Sequence, residues 1–154
     1  MSLRPHNLAV ALVRPQIPQN LGNVARTCVV TGTALHVAHP FPFALEDRRL
    51  VRAGLDYWPR LRLKVHESEA SLLAAAPSGR LWLFDSGGEV SLFDADFADG
   101  DWLVFGSETL GLPPETIQHY PGRSVFIPQV TGERCLNLAT SVGVALYLAL
   151  SRAR

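Results

Sequence analysis

Six short apolar runs, at residues 8–13, 35–38, 61–65, 81–84, 102–105 and 125–127, restrict what this chain can fold into more than any other feature of it. They are nearly continuous in apolar residues instead of alternating with polar ones, the pattern of parallel strands covered on both faces. The segments between them read as helices or loops. Residues 20–31 read as a helix stopped by Gly32, and 68–76 as a helix capped by Ser68 and ended by Pro77. This alternation specifies an α/β fold, a mainly parallel sheet with helices on both faces. Neither a linker nor a repeat interrupts it, and 154 residues at 47% hydrophobic suit a single domain over 1–154 with a sizeable core.

The last helix, expected over 136–153, is apolar almost all the way round, where an ordinary surface helix keeps a polar face. It needs cover on two sides. Its own sheet covers one, and a second copy of the chain in a two-fold dimer is the economical cover for the other, so a homodimer is expected. No run approaches the length of a bilayer span, and the N-terminus lacks a basic segment followed by a long apolar one, so no membrane association is expected. Cys28 and Cys135 lie far apart, without metal or redox spacing, and His6, His36, His39, His66 and His119 are scattered. Neither a disulfide framework nor a metal site is expected, and a reducing cytoplasm fits.

Charge is balanced overall but not along the chain. Residues 1–80 carry ten Lys or Arg against five Asp or Glu, and 81–154 carry four against nine. The first half can therefore face phosphate. Within it, Arg48, Arg49, Arg52, Arg60, Arg62 and Lys64 form a stretch that can track a nucleic-acid backbone, although a solvated surface explains the stretch equally well.

Three junctions carry most of the chemical signal. The first, Pro15-Gln-Ile-Pro-Gln-Asn-Leu-Gly-Asn-Val-Ala-Arg26, joins the first strand to a helix. Asn20 and Asn23 can cap or bind through their amides, Gly22 allows close backbone approach, and Arg26 offers five donors to a phosphate. An Asn-capped helix accounts for the same residues. The second, Leu103-Val-Phe-Gly-Ser-Glu-Thr-Leu-Gly-Leu-Pro-Pro-Glu115, runs from a buried strand into a loop and then a helix begun by Pro113 or Pro114. Loops that follow parallel strands bind ligands. Gly106 and Gly111 would admit an adenine or ribose close to the backbone, and Glu108 could hold a hydroxyl or a cation, or be a solvated carboxylate. The third, 127–141, leads from the last strand into the apolar helix, and Asn137, Thr140 and Ser141 gather small donors and acceptors at what should be a buried start.

Taken together, these segments resemble the SPOUT superfamily of knotted methyltransferases, most closely its small TrmL-like branch of tRNA wobble-ribose 2′-O-methyltransferases. The likeness covers nearly the whole chain. It rests on Asn20-Leu-Gly-Asn-Val-Ala-Arg26, Arg52-Ala-Gly-Leu-Asp-Tyr57, Phe105-Gly-Ser-Glu-Thr-Leu-Gly-Leu-Pro113 and Arg134-Cys-Leu-Asn-Leu138, four motifs in the family's order. The resemblance implies a deep trefoil knot in the C-terminal part and a pocket for S-adenosylmethionine formed by Phe84, Gly106, Glu108, Gly111, Ile127, Cys135 and Leu136. It implies Arg26 and Asn137 as catalytic residues, Asn20, Asn23, Arg52 and Tyr57 as contacts to the RNA, and no metal. The implied substrate is the anticodon stem-loop of a tRNA, methylated on the ribose of a cytidine or modified uridine at position 34, with a leucine tRNA expected. Two alternatives stay open: another tRNA or rRNA nucleotide, or a catalytically inactive RNA-binding knotted protein.

The chemistry sets its own demands. A ribose hydroxyl is a poor nucleophile, so it must be positioned in line with the activated methyl group and must lose its proton. A guanidinium holds its proton and accepts none, so Arg26 reads as a clamp for the neighbouring phosphate, and in a dimer it could serve the partner's site. Asn137 would orient the hydroxyl or the donor, and Glu108 would steady the pocket. The pattern departs from the family at Cys135, where relatives commonly carry Ser, and at Ala139-Thr140, which replaces a usual Ser-Asn. A hydroxyl role at position 135 is thereby weakened.

Overall fold

The computed structural model describes residues 2–46, 48, 50, 52 and 57–153. In chain order they form β1 (Ala9–Val13), α1 (Pro18–Thr31), β2 (Ala34–Ala38), a 3-10 turn (Trp58–Arg60), β3 (Leu63–His66), α2 (Glu69–Ala75), β4 (Leu81–Phe84), β5 (Val90–Ser91), β6 (Trp102–Phe105), α3 (Pro114–Gln118), β7 (Ser124–Phe126) and α4 (Leu138–Arg152). The strands make one seven-stranded sheet in the order β3-β2-β1-β6-β4-β7-β5. Every pairing among them is parallel. All strands therefore end on the same edge, and the loops that follow them gather there. From β1 the chain first moves outward through β2 and β3 and then returns to the other side of β1, so the winding reverses between β1 and β6. That is the kind of switch point at which α/β sheets bind ligands.

Because the strands are apolar on both sides, the sheet builds two cores. Leu8, Val10, Leu12, Leu35, Val37, Leu103 and Phe105 face Leu21, Val24, Ala25 and Cys28 of α1 and Val142, Ala145, Leu146 and Ala149 of α4. On the other face Ala9, Ala11, Val13, Leu81, Leu83 and Val104 meet Leu72 of α2, with Ile117 of α3 against them. Each fully buried Leu or Val side chain contributes about 1.5–3 kcal/mol to the difference between folded and exposed. The expected sheet, with helices on both faces, is what forms. The second face also carries a polar pair, His36 Nδ1 lying 2.9 Å from His66 Nε2, with the His36 ring against Trp102. Burial, with His66 and Lys64 adding to it, lowers the His36 pKa to about 4, so the pair is neutral at physiological pH.

The ends of the elements show where local signals were misread. Asn20 does not cap α1: the helix begins at Pro18, and the capping position is Ile17, which makes no side-chain hydrogen bond. Pro18 has no N–H to satisfy and a φ already set for helix, which lets the first turn start without a polar cap. At the far end Gly32 adopts φ 71 and closes the helix as expected. Ser68 caps α2 in a reciprocal capping box with Ser71. The strand β5 was not anticipated, because two residues are too short for any periodicity to register. The start of α4 is also not buried. Residues 129–137 are exposed in the single chain, Leu136 by 45%. They cross the open carboxyl edge of the sheet instead of its covered faces, which removes the burial the sequence suggested. Of the family-like stretch 52–57, residues 53–56 lie outside the described residues, as does Arg49 of the basic stretch.

Candidate active site

A cavity of about 790 Å³ opens at the carboxyl ends of β4, β6 and β7. Its floor is apolar. Phe84 and Phe105 occupy paired positions on β4 and β6, and their rings stack with centroids 4.4 Å apart. From β6 the chain passes through Gly106, whose position is dictated by packing: a Cβ there would lie 2.1 Å from the carbonyl carbon of Gly111. No other residue fits. The loop closes on itself through the Gly111 N–H to Ser107 O bond at 2.9 Å and the Leu110 N–H to Ser107 Oγ bond at 3.1 Å, with Gly111 at φ 67. A short loop so bonded presents backbone groups in one fixed geometry, as a recognition site requires.

Glu108 is not a free surface carboxylate. Both of its oxygens lie 3.0 Å from the backbone nitrogen of Gln16 and accept its N–H, tying the loop after β6 to the loop after β1. It braces the cavity wall across the switch point. Opposite, Ile127 and the residues around it follow β7, and Cys135, Leu136 and Asn137 bring in the approach to α4. All seven positions expected to form the methyl-donor pocket, drawn from four separate segments of the chain, line this one cavity.

Asn137 and Asn20 join the two helices that frame it. Asn137 caps α4, its Oδ1 accepting the N–H groups of Ala139 at 2.9 Å and Thr140 at 3.4 Å, while its Nδ2 donates to Asn20 Oδ1 at 3.0 Å. Asn20 is only 5% exposed. A buried amide engaged in this way is part of the cavity wall and holds Asn137 in place. Asn23 and Arg52 are exposed, and Tyr57 is half-buried.

Arg26 stands apart from the cavity of its own chain. It is exposed, it does not line the cavity, and its guanidinium lies 4.9 Å from the Tyr57 ring centroid, with Arg60 5.6 Å from the same centroid. Six residues of helix, about 9 Å of rise, separate it from Asn20. Sequence reasoning passed over Asp85, Ser86 and Gln16. Asp85 and Ser86 line the cavity directly after β4, the Asp85 carboxylate accepting the Gly87 N–H at 2.9 Å. Their signal was present, since Asp85-Ser-Gly-Gly88 follows a buried strand as the loop after β6 does. Cys28 and Cys135 are both free thiols, and burial pushes Cys28 up to about 12. Among the described residues no three His, Cys, Asp or Glu side chains come together as a metal-ligand group, and no helix is long and apolar enough to cross a membrane.

Comparison with known proteins agrees with this geometry. The SpoU rRNA methylase family model matches residues 7–147. A tRNA (cytidine(34)-2′-O)-methyltransferase from Burkholderia ambifaria is 42% identical over 147 residues, covering 94% of this chain and 94% of that protein. A solved structure described as giving structural insights into the 2-OH methylation of C/U34 on tRNA superposes with a TM-score of 0.91 at 47% identity, covering 97% of both chains. The SpoU methyltransferase AviRb from Streptomyces viridochromogenes, solved in complex with the cofactor AdoMet, aligns at a TM-score of 0.80 and 25% identity over 96% of this chain and 61% of that one.

Proposed function

The chain belongs to the SpoU rRNA methylase family, and from that premise we propose that it methylates the ribose 2′-hydroxyl of the wobble nucleotide of a tRNA, position 34, cytidine or modified uridine, with S-adenosylmethionine as methyl donor. One observation carries the reading: Phe84, Gly106, Glu108, Gly111, Ile127, Cys135 and Leu136, far apart in sequence, line a single cavity that Asn20 and Asn137 close. The cavity suits the donor. Stacked phenyl rings offer an adenine an apolar surface, glycine backbones permit close approach, and its size is that of a small-molecule site. When bound, S-adenosylmethionine supplies a methyl group already activated on a sulfonium sulfur. The chain itself must orient the ribose, hold the neighbouring phosphate and exclude competing geometry.

Asn137 suits the first task in this reading, supported by an amide that the helix cap and Asn20 fix at the cavity's edge. Arg26 suits the second in this reading, acting on a partner's cavity, since it does not line its own. The homodimer this requires is supported by α4, whose Val144 and Tyr147 stay 42% and 50% exposed on an otherwise apolar helix. The RNA is read as an anticodon stem-loop, met by Arg26, Asn23, Arg52 and Tyr57, in the cytoplasm, with a leucine tRNA as the first isoacceptor to try. The C-terminal part is read as the family's deep trefoil knot. Supporting this, β7 enters between β4 and β5, and α4 then returns to pack on α1 and β6. The whole is read as one domain.

The test is incubation with unmodified total tRNA and labelled S-adenosylmethionine, followed by mapping of the methylated nucleotide. Label at the wobble ribose that disappears in Arg26→Ala is the expected result. Label at another nucleotide would change the substrate, and failure to bind the donor would overturn the reading.

A further inference from the structure

We propose that the ends of β1 and β2, through Arg14 and the stacked pair His39 and Phe41, form a second RNA-contacting surface that holds the nucleotide next to the one being methylated. The inference rests on the reading of the chain as an RNA ribose methyltransferase and adds a surface to it that neither the cavity nor Arg26 includes.

Position comes first. The strands are parallel, so β1 and β2 end on the same edge as the cavity, and β6, whose loop forms the cavity wall, is the immediate neighbour of β1. Two strand spacings, about 10 Å, separate the end of β6 from the end of β2. That is within reach of a nucleotide adjoining one whose ribose sits at the cavity mouth. Val13 pairs with Ala38, so Arg14 and His39 leave the sheet side by side.

Arg14 is the one described residue other than glycine with a positive φ, 54. An arginine rarely adopts that conformation, and a chain that needed only the bend would be served better by glycine. Here the bend is held on three sides. The Arg14 N–H donates to Ala38 O at 3.0 Å, the Gln16 side-chain amide donates to Arg14 O at 3.0 Å, and the next backbone N–H after Pro15, that of Gln16, is the one Glu108 accepts. The same turn therefore sets Glu108 in the cavity wall and Arg14 at the edge. Among the described residues the Arg14 guanidinium makes no hydrogen bond or ion pair, although it is half-buried. A guanidinium held there without an anion has its five donors available to a phosphate.

His39 supplies the complementary half. It is exposed, and its ring lies parallel to that of Phe41, 13° between planes and 4.0 Å between centroids. Phe41 rests on Phe43 at 5.1 Å and packs against the first core, so the stack is anchored from below while its outer face stays open. The His39 N–H donates to His66 O at 3.0 Å, which fixes the backbone beneath the ring. An open aromatic face beside an unmatched guanidinium is the combination that receives one nucleotide of a single strand, base on the ring and phosphate on the cation.

The test is binding of an anticodon stem-loop RNA over a salt series, by fluorescence anisotropy, for the wild-type protein, Arg14→Gly, Arg14→Lys, His39→Ala and His39→Phe. Glycine keeps the bend and removes the charge. Arg14→Gly should weaken binding roughly tenfold and lower the slope of log affinity against log salt by about 0.7–0.9, the release of one phosphate contact, and Arg14→Lys should restore most of both. His39→Ala should weaken binding by about fivefold or more with the slope unchanged, and His39→Phe should not. Donor affinity and thermal stability should stay at wild-type values throughout. Wild-type affinity and slope in both Arg14→Gly and His39→Ala, or no binding of the RNA by the wild-type protein, would overturn the surface. Methyl transfer to the same RNA is measured in parallel. Transfer by wild type with unaltered binding by the variants would refute this surface and leave the function standing, whereas absence of wild-type transfer would count against the function and leave the binding series to judge the surface.

Discussion

Asn137 does two jobs with one amide, and a pair of substitutions should separate them. Asn137→Ala removes the cap of α4, which costs about 1 kcal/mol, and leaves the buried Asn20 carbonyl without its donor, which costs about 1–3 kcal/mol more. Asn137→Asp keeps an oxygen for the Ala139 and Thr140 N–H groups, places a negative charge at a helix N-terminus, and lets Asn20 turn its amide around to donate. The aspartate variant should therefore denature in urea close to wild type while its single-turnover methyl transfer falls at least about tenfold, the cost of a lost or misdirected hydrogen bond to the reacting partner. Equal activity in wild type and Asn137→Asp would reduce Asn137 to a structural cap. Residues such as this were legible in the sequence because a short motif carries its own chemistry: Asn137 two positions after Cys135 announced a helix start. The bond between Asn20 and Asn137 was not legible, because it spans 117 positions and nothing local announces a partner at that distance.

Elements read best where composition and burial agree. The strands β1, β4 and β6 emerge almost as expected because both of their faces are covered, which makes an uninterrupted apolar run the only stable choice. The start of α1 read less well, since Asn20 looked like a cap while Pro18 made one unnecessary. For α4 the sequence told more than a single chain displays. Val142, Ala145, Leu146 and Ala149 are buried against the sheet and α1, whereas Thr140, Val144, Tyr147 and Ser151 form an exposed stripe at helical spacing, apolar at its centre. A second copy packed on that stripe would bury Val144 and Tyr147 and bring an Arg26 to the neighbouring cavity. Val144→Glu and Tyr147→Glu should accordingly sediment as monomers and lose methyl transfer while keeping the fold. Mixing Arg26→Ala with Asn137→Asp subunits should recover about a quarter of wild-type activity, because half of the dimers are mixed and each holds one intact site. No recovery in the mixture would mean that Arg26 serves the cavity of its own chain.

At the scale of the molecule, the two cores share one sheet, and the cavity draws on β4, β6, β7, α1 and α4 together. No part of this cavity belongs to a piece that could melt alone. Unfolding should consequently be a single cooperative transition, and the donor should stabilise the whole chain instead of one half of it. At one hundred times its dissociation constant a ligand confined to the native state adds about 2.7 kcal/mol. For a domain of this length that corresponds to a rise in Tm of roughly 5–10 °C. Differential scanning calorimetry with and without S-adenosylmethionine should show one peak moving by that amount, and moving further as protein concentration rises, since the proposed dimer would be linked to folding by the same mass action. Two peaks, only one of them shifted by the donor, would divide the chain and overturn the proposal of a single domain. The charge asymmetry fits the undivided picture. The basic first half contributes β1, β2 and α1, and the acidic second half contributes most of the cavity, so in the proposed reaction a polyanionic substrate would be drawn to one side of the switch point and a cationic donor to the other. Splitting the chain at that point would separate the two attractions that the reaction needs to bring together.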